Sequence, residues 1–100
     1  MNVLPALRNE LQKLFPECPM TITPPLDLGS EILHIKLSEH YYLLIHQDDN
    51  ILKIALRGVY DHDVVDLCDS HFIDKIAWLI RCHLQQIAVL LANRTVEPRL

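Results

Sequence analysis

Glycine is almost missing from this sequence: Gly29 and Gly58 stand alone among 100 residues. A phosphate-cradling loop needs several glycines close together, so that class of nucleotide site is excluded. Cysteine is sparse too. Cys18, Cys68 and Cys82 are odd in number, widely spaced and form no C-x-x-C pair. Neither a disulfide framework nor a zinc ribbon follows from that arrangement. Free thiols of this kind suit a reducing compartment, where cysteine serves as a small core residue.

Positive charge is in deficit. Nine Lys and Arg against 13 Asp and Glu leave a net charge of −4. Affinity for nucleic acid comes largely from neutralising phosphates, so this balance disfavours such a partner, although a local basic patch is compatible with it. Long uninterrupted hydrophobic runs are lacking as well. The opening Val3-Leu4-Pro5-Ala6-Leu7 is broken by Pro5 and followed at once by Arg8, Asn9 and Glu10, which leaves no secretion-signal core. Residues 72–92 form the longest apolar stretch, but Asp74, Lys75, Arg81, His83, Gln85 and Gln86 interrupt it too often for a membrane span. The expectation is a cytoplasmic protein without a membrane segment.

What remains is half hydrophobic, with no low-complexity tract, which is enough for one continuous core. We read a single domain over residues 1–94 and a frayed tail over 95–100. Leu4, Leu7, Leu11, Leu14 and Phe15 recur at three- and four-residue steps and predict a helix over 3–15. Asn2 suits its N-cap, and Pro16 stops it. Pro16, Pro19, Pro24 and Pro25 then punctuate a connector with room for a short edge strand over 21–23.

Three strands follow, over 31–38, 41–47 and 51–57, with Leu33, Ile35 and Leu37 alternating against His34, Lys36 and Ser38 in the first. A three-residue turn at Ser38-Glu39-His40 puts Tyr41, Leu43 and Ile45 on the core face. A two-residue turn would bury His46 instead, so the first register is preferred. Residues 58–70 read as an acidic loop. A long helix over 71–92 follows, capped by Asp69 or Ser70 at its start and by Asn93 at its end. The fold class is therefore α+β: an N-terminal helix, a three-stranded antiparallel meander with a possible extra edge strand, and a long C-terminal helix packed on one sheet face. As architecture alone, that order resembles small secretion chaperones and adaptors. No shared motif accompanies it, and fold does not give function.

Two surfaces stand out as partner-binding candidates. Ile73, Ile76, Ile80, His83, Ile87 and Leu90 form one stripe of the long helix, and Ala77, Leu84, Ala88 and Leu91 form a second. A 13-residue helix reaches about 20 Å along a partner helix of about 33 Å, so a second copy of the chain could cover the remainder. The back of the sheet, with Tyr42, Leu44, His34 and His46 among Lys36, Lys53 and Arg57, has the apolar centre and polar rim of a binding face.

Segment 61–71 holds His62, Cys68 and His71 among aspartates, all metal-ligand types, yet it matches no ligand spacing of a zinc or calcium site. Cys82 and His83 are adjacent on a helix and point about 100° apart, which does not make a nucleophilic dyad. A nuclease-like strand pair would need an acid two residues before a lysine. Lys36 is preceded there by His34, and Lys53 by Ile51. With no catalytic residue and no cofactor implied, the expectation is a non-catalytic interaction or adaptor module, homodimeric. The alternative is a small metal-binding or hydrolytic protein built on His62, Cys68 and His71.

Overall fold

The computed structural model describes residues 2–23, 31–57 and 62–96, except for the side chains of Arg57, His62 and residues 93–96. Helix α1 (Leu4–Leu14) leads into strand β1 (Met20–Thr23). Strands β2 (Ile32–Lys36), β3 (Tyr42–Asp48), β4 (Ile51–Arg57) and β5 (His62–Asp66) follow, and helix α2 (Phe72–Val96) closes the order. The strands form one antiparallel sheet in sequence order, so each lies beside its neighbour in the chain.

The expected three strands are thus corrected to five. The outer strand β1 takes up the proposed short edge strand and extends it by Met20, which is buried. Strand β5 replaces part of the expected acidic loop; its sequence, HDVVD, has two adjacent apolar residues rather than an alternation, and Val65 alone of them is buried. It forms because β4 carries Leu52, Ile54 and Leu56 into the core and needs a second neighbour for its backbone groups.

The turn that sets the register is as expected. Leu37 and Ser38 both donate their N–H groups to the Tyr41 carbonyl, at 3.0 and 3.2 Å. Leu33, Ile35, Leu43, Ile45, Leu52 and Ile54 consequently share one face and are buried. The β3–β4 hairpin turns on two residues. Its first, Asp49, has φ 55°, a left-handed value that Asp tolerates better than most residues.

Both helices lie on that core face. Helix α1 contributes Leu4, Leu7 and Leu11 and contacts β1, β2 and α2, while α2 contacts β5. Val3 stands at the N-cap position without a side-chain bond, and Asn2 accepts the Leu4 N–H at 3.1 Å from one residue earlier. After Leu14 the chain leaves helical geometry at Phe15 (φ −129°, ψ 68°), as the following proline requires. Gln12 then staples the connector, donating to the Phe15 and Cys18 carbonyls at 3.0 Å each. The Arg81 guanidinium of α2 stacks 5.4 Å from the centroid of the Phe15 ring and ties the helices together.

Helix α2 runs through Asn93 to Val96, beyond the expected cap. The start of the tail at 95 and 96 is helical, and 97–100 lie outside the described residues. No described helix is long and apolar enough to cross a membrane.

Candidate functional site

Helix α2 has 25 residues and measures about 37 Å, whereas a seven-residue strand such as β3 rises only about 23 Å. That difference divides its apolar stripe. Ile76, Ala77, Ile80 and Ile87 are buried in the chain's own core, and Ile73, Leu79 and Leu84 pack half-buried against it. Beyond Ile87 the stripe runs into solvent. Ala88, Val89, Leu90, Leu91 and Ala92 are five consecutive exposed residues, with Val89 at 58 % and Leu90 at 43 % exposure. Of the stripe residues Ile73, Ile76, Ile80, His83, Ile87 and Leu90, Leu90 alone is exposed. Val89 escapes a stripe-based reading because it faces away from both stripes.

Beside this end lies a groove of about 630 Å³ between Leu56 of β4 and the α2 residues Cys82, Gln86, Ile87, Val89 and Leu90. Its lining is mostly aliphatic. Between Arg81 and Arg94 no Asp, Glu, Lys or Arg occurs, so this part of the helix carries no fixed charge.

His83 is the buried polar residue of the core among the described residues, at 5 % exposure. Its Nδ1 lies 3.2 Å from Gln86 Oε1, one turn along the helix, and its Nε2 lies 3.9 Å from Asp63 Oδ2 on β5. Both ring nitrogens therefore face other groups than Cys82, and the adjacent thiol and imidazole form no dyad. Asp63 reaches α2 because it opposes Ile54 in the register and so shares the core face.

The opposite face of the sheet has no described helix upon it. Ile32, His34, Lys36, Tyr42, Leu44, His46 and Ala55 lie there half-buried, as the register requires. Lys53 pairs with Asp48 at 3.0 Å on the same face, and Val64 adds a side chain at 63 % exposure. Arg57 opposes Tyr42, but its side chain lies outside the described residues.

The described metal-ligand types of residues 63–71 are spread out. Asp61 and the His62 side chain lie outside the described residues, while Cys68 is exposed in the turn after β5. His71 Nδ1 sits 3.5 Å from Asp74 Oδ2. Among the described residues no three His, Cys, Asp or Glu side chains come together as ligands. Asp69 instead works at the start of α2. It accepts from Lys75 Nζ and, at 2.8 Å, from the His71 N–H, and these bonds hold its carboxyl below the usual value. Cys18 is buried, and desolvation, helped by the charge of Glu17, pushes its thiol up.

Compared with known proteins, the chain matches no family model, and no curated protein and no solved structure is significantly similar to it.

Proposed function

We propose that the chain is a non-catalytic protein-interaction module that works as a homodimer and holds a further protein partner. The observation that carries this reading is the outer end of α2. A helix apolar on all sides is ordinarily buried, and residues 88–92 are apolar on all sides and exposed. The cost of leaving Val89, Leu90 and Leu91 in water falls away once another protein covers them, at roughly 25 cal/mol per Å² of apolar surface. The uncharged stretch between Arg81 and Arg94 fits an apolar partner surface, since no charge there has to be desolvated.

The open face of the sheet, which no described helix covers, adds a second surface, so one surface is left for assembly and the other for the partner. Native mass spectrometry of the purified chain tests the reading. A dimer at twice 11.6 kDa is expected, and a monomer at every concentration up to about 100 µM, on the order of an already weak protein–protein affinity, overturns the homodimer.

A further inference from the structure

The open sheet face has an order that its register makes visible. Asp48, Ile51 and Asp66 form the row at one end of the strands. Ile32, His46, Lys53 and Val64 form the next row, and His34, Leu44 and Ala55 the one after. Lys36 and Tyr42 stand at the far end. The face thus runs along the strands from carboxylates, past the Lys53 ammonium that pairs with Asp48, through aliphatic and imidazole side chains, to the Lys36 ammonium and a phenol. Solvated faces of antiparallel sheets are mostly polar. This one has Ile32, Leu44, Ile51 and Ala55 across its inner strands and Val64 on the edge strand β5.

Resting on the homodimer reading above, we infer that the open sheet face is the dimer interface, with two copies packed face to face about a two-fold axis that runs across the strands. An interface of this kind puts the same patch on both copies, so the patch has to complement itself. Two in-plane axes bring the faces together with the strands of the two copies aligned. An axis along the strands lays Asp48 and Asp66 near the same residues of the second copy and repels. An axis across the strands turns the carboxylate row onto the second copy's Lys36 row and exchanges the two middle rows, which sets Ile32 over the second copy's His34 and Leu44 over its His46.

Column order is kept by that axis, so Lys36 on β2 comes beside Asp48 on the neighbouring β3 of the second copy. Asp48 keeps its own Lys53, which it meets through Oδ2. Two sheets pack about 10 Å apart and cross at about 30°, a spacing the long Lys36 side chain bridges. Rim charges add little affinity individually, so Ile32, Leu44, Ala55 and the imidazole rings of the middle rows hold the copies together and the charges select the axis. The outer end of α2 is the poorer dimer surface. Its five exposed residues span about 7 Å, short for an interface that ordinarily buries about 800 Å² on each side.

Charge exchange tests the inference by sedimentation velocity, with a thermal melt as the control for folding. Lys36→Asp and Asp48→Lys are each expected to weaken the dimer about ten-fold, because the two-fold axis repeats every lost pair. The double variant restores the wild-type constant to within about three-fold, and Leu44→Lys dissociates the dimer while Leu90→Lys leaves it intact. If instead Leu90→Lys dissociates a dimer that the sheet variants do not disturb, the interface lies on α2 and this inference is overturned, with the module reading intact. A wild-type monomer overturns the homodimer reading, and this inference with it.

Discussion

Asp63, on the last strand of the sheet, turns its carboxylate inward to the buried imidazole of His83 on α2, with Oδ2 3.9 Å from Nε2. An edge strand with unpaired backbone groups invites another chain to add to it, and an inward-pointing charge is one of the devices that prevents this. The outward Val64 leaves β5 with little else of that kind on its two central positions.

Replacing Asp63 with Val should therefore favour aggregation more than it harms folding. Light scattering on concentrated Asp63→Val is expected to rise well above wild type, with a melting temperature equal or higher. The Asp63–His83 coupling in a double-mutant cycle should stay below about 1 kcal/mol, because the Asp63 carboxylate is more than a third exposed and water screens the pair. A larger coupling, or scattering no greater than wild type, would count against this role.

Acid should loosen the start of α2 through Asp69. Lys75 first, and the His71 N–H second, favour its charged form, so its folded value lies below the ordinary 3.8. A depressed carboxyl contributes stability above its unfolded pKa, about 3.9, and loses it as pH falls through the folded value. The helical circular dichroism signal should decline as pH falls below the ordinary carboxylate value, and Asp69→Asn should flatten part of that decline. Asn keeps an acceptor for the His71 N–H but loses the charge that Lys75 meets. Superimposable acid profiles for the two proteins would remove Asp69 from the account.

The three thiols should separate by reactivity. Cys68 is exposed, Cys82 is half-buried, and Cys18 is buried with its thiol pushed up. The thiolate is the reacting form, so alkylation followed by mass spectrometry should label Cys68 first, Cys82 next and Cys18 only on unfolding. Early labelling of Cys18 would mean that the α1–β1 connector opens readily in the native protein.

Much of the fold is legible in short-range pattern. The steps of three and four from Leu4 to Leu11, the proline after Phe15, and the alternation through Leu33, Ile35, Leu43 and Ile45 all point to the observed elements and register. They do so because helix and strand periods are local properties of the backbone. Even the choice of turn at Ser38-Glu39-His40 followed from the cost of turning His46 inward.

What only the tertiary structure decided is where those patterns find partners. Strand β5 exists because β4 needs a neighbour, a demand that the residues of β5 do not themselves express. Asp63 looks like one more member of an acidic loop until the register with Ile54 turns it toward His83. The stripe of α2 reads as continuous from Ile73 to Leu90. Where it passes from buried at Ile87 to exposed at Leu90 depends on how far the sheet and α1 extend beneath it, and one-dimensional periodicity carries no information about that distance.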